Sequence, residues 1–313
     1  MRCIVKAVTE NANDLRVLFE VLEGVLHEFK LIFIKDEDKK KRDEKIKDNG
    51  HKQCVGGIKI FELDEHETLF IFVKLDADKF VEFSVKYPIY EVGLDLVQLH
   101  KFLKTIENKD TIMTIYVDED DSQNIVFEME NKSKNSSSKY SQKVMDLDDD
   151  NGKMPSQTSC DLVVTMETND FHKICREMNN FSEYMAITCT SKKIIFRCDG
   201  DSCSYVKCFN NSEEDGVDIY IPNEKNKNVI VNALFELKYL ITFNKCVSLC
   251  SRIQIYLRNG NFPMFINYSV ASLGQMIIGL SPINEKTIKR NVDYDEAMED
   301  NYNKKGKVVY KET

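Results

Sequence analysis

The side chains able to do chemistry by type and spacing fall into three groups: acidic clusters, cysteines, and basic residues recurring on helix-like segments. Asp146, Asp148 and Asp150 alternate like the first ligands of a calcium loop. The loop's glycine comes one place late, at Gly152 after Asn151, and Gln157 stands where a bidentate glutamate belongs. This stretch reads as a solvated linker. Asp118-Glu119-Asp120-Asp121 has the charge for a two-metal nuclease site, but no further ligands stand at a recognisable spacing. It falls between two strand-like runs and reads as a solvated turn.

The ten cysteines contain no CxxC pair; Cys198, Cys203 and Cys208 recur every fifth residue, a period that does not converge on one tetrahedral ion. With no secretory leader in the opening MRCIV, free thiols in a reducing compartment are expected. GxGxxG, Walker, GxSxG and HExxH motifs are all missing. The chain therefore reads as a non-enzyme without metal or cofactor.

The basic residues carry more information. Lys101 and Lys104 are three apart on one amphipathic segment, and Lys173 and Arg176 repeat the spacing on another. Arg16 lies on a first such segment, Lys238 and Lys245 on or just past a fourth. All lie off the apolar stripes. Cations repeated on four helices of a chain with net charge −9 suit a local face that tracks phosphates without reading bases.

The elements that would position them follow from periodicity. Apolar residues at three-and-four spacing predict helices over 13–29 (Leu15, Leu18, Phe19, Leu22, Val25, Leu26), 96–106, 170–179 (capped by Thr168 and Asn169) and 232–243. Branched and aromatic runs predict strands at 31–34, 57–63, 69–75, 80–85, 111–117 and 125–129, then at 161–166, 185–190, 193–198, 204–209, 217–221, 252–257, 264–268 and 276–280. One strand–helix–strand unit thus recurs four times. That suits two domains, each a duplicated module, in an α+β architecture with helices on one side of antiparallel sheets.

Composition agrees. Hydrophobic residues at 42% can fill cores, and 30% charged residues exclude neither solubility nor a fold. A globally basic nucleic-acid binder, a disulfide miniprotein and a disordered chain are excluded, and no apolar run is long enough to span a membrane. The expected boundaries are 1–130 and 158–283 for the two domains. A connector lies between them at 131–157, a charged insertion at 36–53 and a polar tail at 284–313.

Several segments resemble, in order and spacing, the proliferating cell nuclear antigen family of DNA sliding clamps. KVMDLD (143–148) with Met154-Pro155 resembles its interdomain connector, and DFHKICREM (170–178) its central DNA-facing helix. GLDLVQLHKFLK (93–104), ALFELKYLITFNK (233–245) and MFINYSVASLGQMIIGLSP (264–282) resemble its second helix, fourth helix and last strands. The likeness covers about residues 1–282. It implies the DNA clamp fold and a head-to-tail homotrimer around duplex DNA, placed there by a clamp loader. It further implies a processivity factor for DNA polymerase and a docking platform for replication and repair proteins, in a nucleus or at a cytoplasmic viral replication site.

By the resemblance, Arg16, Lys101, Lys104, Lys173, Arg176, Lys238 and Lys245 would contact phosphates. Leu63, Phe70, Met154, Pro155, Ile278, Leu280, Ser281 and Pro282 would form the pocket for clamp-interacting peptide motifs. Ile125, Val126 and Phe127 of one subunit would meet Ile194, Ile195 and Phe196 of the next through edge strands. Three departures mark a divergent member: Gly279 and Ile278 replace a usual aromatic pair, Glu23 stands where many relatives place lysine, and the insertion and tail have no counterpart in compact clamps. A checkpoint-type clamp, a monomeric processivity factor and, more remotely, a metal-dependent nuclease remain alternatives.

Overall fold

The computed structural model describes residues 2–36, 56–64, 68–106, 111–147, 160–212, 216–223 and 229–283. Most of the insertion, Met154, Pro155 and the tail lie outside them. The first half runs β1 (Cys3–Thr9), α1 (Ala12–Glu23), β2 (Glu28–Ile34), β3 (Gly57–Leu63), β4 (Leu69–Asp76), β5 (Glu82–Val85), β6 (Ile89–Asp95), α2 (Leu96–Leu103), β7 (Thr111–Asp118), β8 (Asn124–Asn131) and β9 (Ser136–Lys143). The second runs β10 (Leu162–Glu167), α3 (Thr168–Asn179), β11 (Tyr184–Cys189), β12 (Lys193–Asp199), β13 (Ser204–Asn210), β14 (Asp218–Tyr220), β15 (Val231–Glu236) and α4 (Leu237–Thr242). A 3-10 turn (Phe243–Ser248), β16 (Arg252–Leu257), β17 (Met264–Val270) and β18 (Gly274–Leu280) complete it.

The strands form three antiparallel sheets: a five-stranded one in the order β5-β1-β7-β8-β9, a four-stranded one in the order β13-β12-β11-β15, and a nine-stranded one, β14-β10-β16-β17-β18-β4-β3-β2-β6. The last is continuous across the two halves because β18 pairs with β4 from Gly274 opposite Leu75 to Leu280 opposite Leu69. All four helices pack on one side of these sheets. In that layer α1 lies between α2 and the 3-10 turn, and α3 packs on α4 and the same turn.

Each helix buries the stripe its sequence supplies. In α3 the buried set is Thr168, Phe171, His172, Ile174, Cys175 and Met178; in α2 it is Leu96, Leu99, His100 and Leu103. α2 is capped by Asp95, whose Oδ1 accepts the Gln98 N–H at 2.9 Å. α3 opens at Thr168 after Glu167 without a side-chain cap, so Thr168 and Asn169 are not the caps expected. The Thr168 hydroxyl instead lies 3.6 Å from Cys250 Sγ.

Strands β1 and β6 are not marked by the apolar runs of the sequence, and further stretches differ from the periodicity. α1 ends at Glu23, and Phe29 belongs to β2, because Gly24 weakens the helix and Phe29 fills the sheet core. Residues 232–236 are strand, not helix: pairing with β11 from Tyr184 opposite Glu236 claims them. Residues 136–143, expected in the connector, form β9 along the whole of β8. Their serines and lysines are mostly exposed, so no apolar alternation marks the strand; Tyr140 and Gln142 are its half-buried side chains.

Candidate nucleic-acid interface and partner face

The exposed side of α2 carries Lys101 and Lys104, and that of α3 carries Lys173 and Arg176. Residues three apart on a helix stand about 5–6 Å apart at Cβ, so each pair forms one local charge centre. Lys101, Lys104 and Arg176 also sit in or just after the last turns of their helices, where the helix dipole favours cations. None of the four meets a carboxylate among the described residues; Lys101 reaches only the Gln98 side chain, at 3.4 Å.

The remaining three expected cations are held by acids. Arg16 Nη1 lies 3.1 Å from Glu20 Oε2 within α1. Lys245 Nζ reaches Glu20 Oε1 across the junction of the halves at 2.9 Å. Lys238 pairs with Glu236 and lies 4.7 Å from the Tyr239 ring centre.

Behind the cations lie two buried histidines. His100 Nδ1 is 3.4 Å from Glu23 Oε2. Burial, with Lys104 beside it, holds the His100 imidazolium below its ordinary pKa against the opposing pull of Glu23 and Glu20. His172 stacks on Tyr268, with Nε2 3.3 Å from the phenol oxygen. Burial, helped by Arg176, pushes His172 down to about 4. Both histidines are therefore neutral at neutral pH and add no charge to the face.

Each end of the helix layer leans on a sheet edge. Phe102 of α2 stacks on Tyr140 of β9 at 5.0 Å, and the Gln142 side chain donates to the Asp95 carbonyl at 3.1 Å. At the far end Tyr205 of β13 donates its hydroxyl to Glu177 of α3 at 2.9 Å. Among the described residues β9 pairs only with β8 and β13 only with β12, so both outer edges keep open N–H and C=O groups.

That overturns the expected edge strands. β8, with Ile125, Val126 and Phe127, and β12, with Ile194, Ile195 and Phe196, are interior to their sheets, paired on both sides. Ile125, Phe127, Ile194 and Phe196 are fully buried in the core. The resemblance implied an edge, whereas the unbroken apolar character of both runs is that of an interior strand. The strands one place further along the chain hold the open positions.

On the sheet face away from the helices, Phe70 stands edge-on between Phe61 at 5.2 Å and Phe265 at 6.2 Å. Leu63 pairs with Phe70 and shares this face. Gly279, opposite both Phe70 and Phe265, makes the cluster possible: a Cβ there would stand 2.8 Å from Phe265 Cε1 and 3.1 Å from Phe70 Cδ1. Ile278 and Leu280 point the other way, 1% exposed, into the core under the helices. Strand alternation places Ile277 and Gly279 on the outer face in their stead. Ser281 and Pro282 are half-buried where β18 ends, and the Ser281 N–H donates to the Thr68 carbonyl at 2.9 Å.

The connector motif is anchored at the rim of the same sheet. Met145 N–H donates to the Gly93 carbonyl at 2.9 Å. A side chain at Gly93 would strike the Met145 carbonyl and the Leu147 side chain.

Duplicated halves, a shared sheet sealed by the last strand and a one-sided helix layer bearing cations define a clamp-type fold. Comparison with known proteins gives the same class. Residues 41–151 match the N-terminal domain of proliferating cell nuclear antigen and residues 154–283 its C-terminal domain. The chain belongs to the proliferating cell nuclear antigen family of sliding clamps.

Among its relatives, a probable DNA polymerase sliding clamp of Acanthamoeba polyphaga mimivirus is 29% identical over 294 residues; the match takes in 88% of this chain but 61% of that protein. A probable DNA polymerase sliding clamp of Paramecium bursaria Chlorella virus 1 is 25% identical, with 88% of this chain and 95% of the relative covered. The proliferating cell nuclear antigen of Caenorhabditis elegans is 26% identical, with 76% and 85% covered.

Proposed function

We infer that this chain is the subunit of a homotrimeric DNA sliding clamp. The helix layer faces a central duplex, and the ring acts as processivity factor for a DNA polymerase. The observation that carries the reading is the arrangement of two unlike open edges, β9 and β13, at opposite ends of one cation-bearing helix layer. Unlike edges join head to tail, and such contacts close into rings when the rotation permits. Ring closure makes binding topological, so phosphate contacts stay weak enough for sliding.

The outer face supplies the docking platform. Leu63 and Phe70, with Phe61, Phe265 and Gly279, form an apolar surface for a client segment anchored by a few side chains. Met154 and Pro155 of the connector belong to the same reading, as do the end-of-strand residues Ser281 and Pro282. Polymerase, clamp loader and repair proteins are the clients, met in a nucleus or at a viral replication site.

Sedimentation equilibrium across a dilution series tests the ring. A mass three times 36.3 kDa is expected. A species that stays at 36.3 kDa at every concentration would remove the encircling mechanism and leave a clamp fold used in another assembly.

A further inference from the structure

Glu20 stands in the middle of the helix layer, at the junction of the two halves. Its two carboxylate oxygens are divided between two cations, Oε2 taking Arg16 at 3.1 Å and Oε1 taking Lys245 at 2.9 Å. Arg16 is held further by Asn13 Oδ1, at 3.0 Å from Nη2 and 3.3 Å from Nε. Burial alone would raise the Glu20 carboxyl. The hydrogen bond and charge of Lys245, followed by Arg16 and His100, instead hold it below its ordinary value.

A phosphate reaching for Arg16 or Lys245 must displace an anion already in place and leave Glu20, about three-quarters buried, without its partners. The counterion that the phosphate gives up is offset by the cation that the bared Glu20 carboxylate draws in, so the net salt dependence is small. Lys101, Lys104, Lys173 and Arg176 meet no such competitor among the described residues.

We propose that Glu20 withholds Arg16 and Lys245 from DNA as a built-in stand-in for a phosphate, confining backbone contact to the cations of α2 and α3. The inference rests on the helix layer being the DNA face. Because α2 leans on β9 and α3 on β13, the confined contacts flank the edges through which copies join. Across each joint, the α2 cations of one subunit meet the α3 cations of the next. At the junction inside each subunit the one carboxylate offsets one of the two cations, halving the charge offered there. The duplex is gripped at the three joints of the ring, and opening one joint splits one grip.

The test is a titration of the full chain with a fluorescently labelled linear duplex over a series of salt concentrations. Glu20→Gln is expected to steepen the slope of log K against log salt by about 0.9 for each cation released. Glu20→Asp, which keeps the charge, should follow the native chain. An unchanged or shallower slope for a Glu20→Gln protein that melts as a folded chain would overturn the proposal.

If Glu20→Gln does not fold, Lys245→Ala decides. It should shift the slope less than Lys173→Ala does, and an equal shift counts against withholding. Lys101→Ala combined with Lys173→Ala and Arg176→Ala separates the two levels of inference. Should that variant keep the native slope, the helix layer is not the DNA face and the underlying reading fails. If it loses slope while Glu20→Gln changes nothing, only the role of Glu20 falls.

Discussion

At the β9 end of the molecule an aromatic stack, Phe102 on Tyr140 at 5.0 Å, ties helix to edge strand; at the β13 end a hydrogen bond from Tyr205 to Glu177 at 2.9 Å does the same work. The edges themselves differ more. β9 presents serines with Lys139 and Lys143, whereas β13 exposes Val206, Cys208 and Lys207. The helices behind them each bury one histidine, paired with a carboxylate in α2 and with a phenol in α3. A two-fold pairing of β9 with itself would bring Lys139 and Lys143 together, and like charges opposed across strands are destabilising. Pairing β9 with β13 avoids this, so the inequality of the ends favours a head-to-tail ring over a dimer.

The largest expected effect on assembly comes from removing the apolar character of the β13 edge. Val206 is 41% exposed in the single chain. On the ring reading, Val206→Asp should leave the fold intact and weaken each joint by about 1–2 kcal/mol, because the carboxylate gives up water there even with Arg197 opposite it. If the chain forms the proposed trimer, sedimentation should show it giving way to subunits at concentrations where the unsubstituted chain stays assembled. An unaltered mass would mean that the ends join through another surface.

The two histidines give the next contrast. His172 has a folded pKa of about 4 against an ordinary 6.5. Between those values the unfolded chain holds a proton that the folded chain does not. Its contribution is therefore fully present above pH 6.5 and is lost as the pH falls toward 4, by about 3 kcal/mol. His172→Phe should flatten that acid limb in denaturant melts, although loss of the Tyr268 contact costs about 1 kcal/mol at every pH. His100→Phe should change the limb less, since Glu23 and Glu20 support its protonated form. Equal changes would erase the distinction drawn between the two helices.

Alanine pairs compare the cations directly. Lys101→Ala with Lys104→Ala, and Lys173→Ala with Arg176→Ala, should each reduce the salt slope of DNA binding by about 1.8. A one-sided loss would show that a single end carries the DNA. Smallest of all, Tyr205→Phe removes one hydrogen bond at the β13 end. It should cost about 1 kcal/mol in a denaturant melt while leaving DNA binding unchanged.

Much of this arrangement is legible in the sequence, for reasons that also explain the rest. The stripes of α2 and α3 are long and strict enough to fix which side is buried, and with it which side carries the cations. Residues 232–236 defeat the same reasoning: Leu234 and Phe235 fit a helical stripe, but both are buried in a strand, between two faces the sequence does not announce. β9 fails in the opposite way, because a polar strand at an edge has no buried face to enforce alternation. The resemblance places Ile278 and Leu280 in the outer pocket, but a likeness in sequence does not fix which face of a strand each side chain takes. The parity of that strand is settled only by its pairing with β4, where Ile278 meets Ile71 and Gly279 meets Phe70. Glu20 looks like any surface acid until Lys245, far along the chain, arrives beside it.

The pairing of β18 with β4 also sets an order of events during synthesis. The strands of the first half leave the ribosome early, but β4 lacks its neighbour until residues 274–280 emerge. At about 5–20 residues per second, that interval is on the order of tens of seconds. For that time the nascent first half carries an open strand edge, Leu69–Asp76, with five consecutive apolar side chains from Leu69 to Val73. The last strand thus acts as the closing stitch. A chain truncated before Gly274 should emerge aggregation-prone, captured by chaperones instead of persisting in a folded state.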